Sequence, residues 1–385
     1  MLNTVESAGE FQSRTLRPTA ISASWISAFL MSLLLVLFSS GCTDESVLPA
    51  NDDLDNRGGT TAGGYFKQTN LVSDVAEYNA NIIDPNLVNA WGIAIGSTGA
   101  FWISAAETEL SVIYDDEGVT LRPPVTMEGD PTGQVFNATT DFMIPNEGAA
   151  RFIFATEYGT VTAWRTGDIA PTFIDNSADS ASYTGIEIAS DGAANYLYLA
   201  NVAKGTIDVY DGSWRNVTTM PFRDPNLPVG AKPFNIRLID GRLFVTYVNN
   251  GGGLVNMFST SGVFLKRFAT GGPLSAPWGI TKTPTDFALG GAMLIGNFGD
   301  GRINIYNAYG QYKGQLTNEL GKPIEIDGLW ALVFKEGSFN GTEDPDLYFT
   351  AGPDHEEHGL FGEIEPVERN TSGGSPTVPP DMVRK

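Results

Sequence analysis

From residue 65 onward the apolar positions fall in short runs rather than in a helical stripe. The phrases NAWGIAI, DPTGQVF, SYTGIEI, KPFNIRL, APWGITK and DGLWALV recur in that order, with central residues at 92, 133, 185, 235, 279 and 330. Each is followed by a second apolar phrase (AFWISA, ARFIFATE, NYLYLAN, GRLFVTY, AMLIGNF, DLYFTAG). After a short turn comes a third (LSVIYD, TVTAWR, TIDVYD, LVNMFS, RINIYN, GLFGEI). The runs are rich in Val, Ile, Phe, Tyr and Thr and are bounded by Gly, Asn and Asp, which is strand chemistry. Spacings of 41 to 52 residues with several strands per unit predict a propeller-type array. RLFVTYV and YLYLA are nearly continuous in apolar residues, as expected of sheets covered on both faces by neighbouring blades.

Six units and the chain ends predict how the ring closes. The sixth unit stops at GLFGEIEPV, one strand short, while YFKQTNLVSDV at 65–75 precedes the first unit and belongs to none. The first strand is therefore expected to complete the last blade, which removes an exposed sheet edge. The reading is an all-β, six-bladed β-propeller over 65–367, with a polar tail at 368–385 expected to be disordered.

Ahead of the repeats the pattern changes. Residues 21–38 are uncharged and mostly apolar, follow Arg14 and Arg17, and precede the small residues SSG, the layout of an export signal over 1–41. The chain's one cysteine, Cys42, comes next. The segment resembles a bacterial lipobox, with Ser39 where Leu is usual, and this resemblance implies a lipid-acylated Cys42 and a membrane partner. Residues 42–64, acidic and then rich in Gly and Thr, read as a flexible tether. Asp44 and Glu45 resemble the export signal of surface lipoproteins of Bacteroidota type. The expected address is the outer membrane or cell surface of a Gram-negative bacterium.

Composition narrows the chemistry. A single cysteine excludes a disulfide framework and Cys-ligated zinc or iron–sulfur centres. The formal charge of −22 is unchanged when 1–41 is removed, since that segment carries two acids and two bases, so a nucleic-acid partner is not expected. A monomer is expected.

The succession QTNLVSD, DPNLVNAWGIA, RFIFATEYGTV, FRDPNLPVGAKPFNI, LIGNFGDGRIN, IDGLWAL and HGLFG is similar to a family of exported bacterial propellers related in outline to NHL and SMP-30 proteins. Some relatives carry PEP-CTERM sorting tails, which this chain lacks. The resemblance implies the fold over about 65–365 and no activity.

In a four-stranded blade the start of the inner strand and the turn between the second and third strands share one rim. There the sequence places Glu157, Asn201, Asn235, Asn297, Asp327 and His358, with Asp84, Asn89, Asp130, Asn249 and Asp300 beside them. This set predicts a ligand-binding rim; carboxylate and amide oxygens also suit a hard divalent cation. PDHEEH at 353–358 holds both histidines of the chain and is the longest turn of this kind. Asp354, His355 and His358, with Glu356 or Glu357, are candidate ligands for calcium or zinc, and His358 is expected to reach over the channel with Asp354 orienting it. HEEH is one residue short of the zincin spacing, and no Ser–His–Asp set is present. Trp91, Trp278 and Trp330 either line a ligand channel or pack between blades. Two functions follow. One is a non-enzymatic propeller binding an envelope glycan, peptide or protein. The other is a divalent-metal-dependent hydrolase, lactonase or lyase with its site at the channel.

Overall fold

The computed structural model describes residues 64–335 and 345–367. The expected export signal, Cys42 with nearly all of the tether, the tail, and residues 336–344 lie outside these residues. Six sheets stand around one axis, as the repeat predicts. Their inner strands are Ala90–Ile95, Pro131–Phe136, Tyr183–Ser190, Lys232–Ile239, Pro277–Lys282 and Leu329–Phe334. Each touches the next, and the sixth touches the first, so the ring is closed. Helical structure among the described residues is limited to three 3-10 turns of three residues.

Closure follows the expected route. Tyr65–Ser73 pairs antiparallel with Leu360–Val367, from Tyr65↔Val367 to Ser73↔Leu360. A fifth strand, Ile82–Ile83, then adds in parallel to Tyr65–Ser73. Other blades depart from four strands too. The third has three, its outer strand reduced to the bridge Tyr210↔Asn216. The first gains Ile169–Ala170, lent by the chain of the second and lying parallel to Val125–Met127.

The core lies between blades rather than inside any one of them. Trp102 of blade 1 stacks on Phe152 of blade 2 at 3.8 Å, and Phe101 packs on Tyr348 of blade 6 at 4.4 Å. Ile303 and Leu294 of blade 5 join Leu347 and Phe349 of blade 6 in one buried cluster. Second strands such as Phe101–Ala105 and Phe152–Thr156 are buried at every position, which explains their mostly apolar sequence. Each aromatic ring so placed removes roughly 150–250 Å² from water. At ~25 cal/mol per Å² that is up to about 4–6 kcal/mol per ring before conformational entropy is charged against it.

Candidate functional site

Every inner strand carries one irregularity near its start, for example between Ala90 and Ile93, Tyr183 and Gly185, and Leu329 and Leu332. The same slip occurs in the other three. A bulge of this kind re-aims side chains. It puts Trp91, Thr132, Thr184, Phe234, Trp278 and Trp330 at equivalent places, and the next positions are Gly92, Gly133, Gly185, Asn235, Gly279 and Ala331. The sixth repeat therefore aligns one residue later than the phrase DGLWALV suggests, on Ala331.

The glycines let inner strands touch. A Cβ on Gly92 would lie 2.9 Å from the Cα of Gly133, and one on Gly279 2.6 Å from the Trp330 carbonyl oxygen. Side chains then tie strand to strand. Thr132 donates to the Tyr183 carbonyl at 2.8 Å, Thr184 to that of Phe234 at 2.8 Å, and Asn235 Nδ2 to that of Trp278 at 3.0 Å.

The tryptophans do not line an open channel: they pack on one another between blades and close the axis. Trp91 and Trp330 stack at 3.6 Å, Trp278 meets Trp330 edge-on at 5.7 Å, and Phe298 stacks on Trp330 at 4.1 Å. Trp278 Nε1 reaches across to the Thr184 carbonyl at 2.8 Å. Between the inner strands a cavity of only about 20 Å³ remains, enough for about one water molecule.

Above this plug, carboxylates converge from three neighbouring blades. Glu107 comes from the turn of blade 1, Asp130 and Glu157 from the entrance and turn of blade 2, and Glu356 from the long turn of blade 6. Asn89 is the hub. Its Nδ2 donates to Glu356 Oε2 at 3.2 Å, its Oδ1 accepts from Trp330 Nε1 at 3.2 Å, and its backbone N–H bonds the His358 carbonyl at 3.1 Å. Asn89 also bonds Glu107, whose pKa is raised by burial against that bond. Burial, then Glu107 and Glu109, push Asp130 up to about 7. Burial, then Glu356, Asp130 and Glu107, push Glu157 up to about 8. Glu157 keeps an edge open at the surface, yet enough protein and like charge surround its carboxyl to disfavour ionisation.

The PDHEEH turn supplies a carboxylate here, not a histidine. Asp354, His355 and Glu356 all have left-handed backbone, with φ of 53°, 60° and 72°. Such residues cost about 1–2 kcal/mol each outside glycine. The run buries Glu356, only 2% exposed, and leaves His355 and Asp354 in solvent. His358 turns away from the axis: Nδ1 lies 2.8 Å from Asp74 Oδ2, and Tyr78 packs against the ring at 5.8 Å. Asp74, rather than Asp354, orients it; Asp354 instead donates its backbone N–H to Asp327. His355, His358 and Asp354 are not assembled, and among the described residues no three His, Cys, Asp or Glu side chains stand close enough to hold one ion.

The remaining rim candidates divide by role. Asn201 caps its own turn, donating to Asp208 at 2.8 Å and accepting from Ser182 and Lys204. Asn297 donates to the Pro273 carbonyl and to Asp300, and its buried Oδ1 has no partner. Asn235 is a strand tie, and Asp327 is exposed beside the turn. Of the six expected rim residues only Glu157 faces the acidic mouth. Glu107 went unread because the two Glu of AAETE look like those of any solvated turn.

The chain is 30% identical over 330 residues to the uncharacterized protein R648 of Acanthamoeba polyphaga mimivirus, covering 78% of this chain and 80% of that one. It is 29% identical over 321 residues to L690 of the same virus, covering 74% and 83%. Both relatives are viral, where the sequence resemblance named bacterial proteins. No family model matches the chain. Among solved structures it is similar to virginiamycin B lyase from Staphylococcus aureus, with a TM-score of 0.49 and 13% identity over 78% of this chain and 99% of that one. A putative gluconolactonase gives a TM-score of 0.48 and 16% identity over 79% and 93%.

Proposed function

The chain belongs to the same family as the mimivirus protein R648, and on that footing we propose that it is a non-enzymatic binding propeller whose acidic channel mouth receives a cationic group of its partner. The observation that carries the reading is the crowding of Glu107, Asp130, Glu157 and Glu356 above a channel closed by tryptophan. Burial, reinforced by the neighbouring carboxylates, holds Asp130 and Glu157 partly protonated at neutral pH. A positive charge seated among them favours their ionised form and expels protons. The plug denies small molecules a path deeper into the axis, so recognition happens at the rim, on loops carried by a rigid ring.

Calorimetry with trilysine at about 0.15 M salt, where surface attraction is screened beyond about 8 Å, tests this. Binding at pH 7 should release protons, tighten towards pH 9 and weaken at least tenfold in Glu157→Gln. An affinity independent of pH and of Glu157 would sink the reading. The metal-dependent hydrolase alternative needs donors gathered on one point, and lactone turnover on adding Ca²⁺ would restore it. Acylation of Cys42 would hold the propeller at a membrane, and Cys42→Ser should then abolish lipid labelling.

A further inference from the structure

A second concavity lies away from the axis, between blade 6 and blade 1. It encloses about 290 Å³, close to the lower end of the roughly 300–1,000 Å³ usual for small-molecule sites. Two departures from regular blades create it. One is the extra strand Ile82–Ile83, added in parallel beyond Tyr65–Ser73. The other is the outward excursion of blade 1 between the bridge Tyr114↔Thr120 and the strand Val125–Met127. Ile82, Ile83 and Pro124 give the apolar wall, with the buried Val112 and Ile113 behind it, and Asp84 and Arg122 are the charged groups of the lining.

Arg122 is held in place before any ligand arrives. Its guanidinium lies 4.7 Å from the centre of the Trp164 ring and 5.6 Å from that of Trp102, and Nη2 donates to the Gly167 carbonyl at 2.9 Å. That uses one of five N–H donors and fixes the plane of the fork. Its ion partner Asp168, at 3.6 Å, has a side chain 82% exposed, so water screens the pair and the positive charge remains available. Asp84 accepts from Tyr114 at 2.8 Å and from Asn86, which fixes its carboxylate within the same groove. Ile83 is 47% exposed and Leu121 52%, so apolar surface continues past the rim.

We propose that this groove binds a linear monocarboxylate, with the carboxylate on the free N–H groups of Arg122 and the hydrocarbon tail along Ile82 and Ile83. Asp84 opposes a second negative charge on the ligand, so dicarboxylates are rejected. Titration of the full chain with octanoate, read by calorimetry, should give saturable binding. Octylamine and suberate should bind at least tenfold more weakly, the first for want of a partner for Arg122 and the second through Asp84. Arg122→Gln should weaken octanoate at least tenfold. Because Arg122 also stacks on Trp164, the exposed Ile83→Asp supplies an independent arm and should weaken octanoate to a similar extent without disturbing the melting temperature. Octylamine binding as tightly as octanoate, or octanoate binding unaltered in folded Arg122→Gln or Ile83→Asp, would overturn the proposal.

Discussion

The axial mouth and the peripheral groove are both concave, yet they are built from opposite materials. At the axis six near-equivalent strands meet, so whatever the repeat places there is multiplied; bulky residues at four of the six positions suffice to fill the space. At the periphery the blades diverge, and one extra strand and one loop excursion open 290 Å³ that no repeat specifies. The axis thus presents charge on a closed floor, and the edge presents apolar wall around one fixed cation. In this propeller the regular part of the sequence closes space and the irregular part opens it.

The largest effect that would break this contrast is expected at the plug. Trp330→Ala removes the ring on which Trp91, Trp278 and Phe298 rest, and should cost about 3–5 kcal/mol in urea unfolding. A loss below about 1 kcal/mol would mean that the axis is not closed by packing. Next comes an exchange of ligands between sites: Glu157→Gln should weaken trilysine at least tenfold and leave octanoate unchanged, while Arg122→Gln does the reverse. Any crossover would make the two concavities one coupled site.

The pH profile sharpens the comparison further. Glu157 is raised from 4.5 to about 8 on folding, so the folded state holds more protons than the unfolded chain between those values. Stability should therefore fall as pH rises through that window and level off above it. Glu157→Gln should flatten this slope by more than about 1 kcal/mol, measured as melting temperature against pH, whereas Arg122→Gln should leave the slope intact. His358 contributes in the same direction. Its pKa is raised, chiefly by the hydrogen bond to Asp74, so its stabilisation is present below about 6.5 and is lost as pH rises through the raised value. The smallest effects separate the two histidines: His358→Ala should cost about 1 kcal/mol, and His355→Ala, in solvent, less than about 0.5 kcal/mol.

The propeller was legible because strand chemistry and period both repeat, and even the closing strand followed from a missing one. The rim was less legible because side-chain direction depends on features that a phrase does not encode. Asn201 and Asn297 sit where the repeat puts them, but turn-capping uses their amides. His358 has its carboxylate partner 284 residues away in sequence, so nothing near HEEH announces it. Glu356 enters the mouth through three consecutive left-handed residues, a backbone state that an Asp-His-Glu run does not favour. The groove arises from a two-residue parallel strand and a Pro-Pro excursion, neither of which belongs to the sixfold pattern.

Closure by the first strand also sets an order of events during synthesis. Lys67 and Glu365 pair across 298 residues, so the last sheet stays open until almost the whole chain has emerged. Until then Tyr65–Ser73 has only the short Ile82–Ile83 beside it and lacks its antiparallel partner, and five blades stand as an open arc with an exposed edge at each end. Contacts this distant make folding slow, and waiting edges invite pairing with other chains. The nascent protein is thus most vulnerable to aggregation in the moments before its final strand appears.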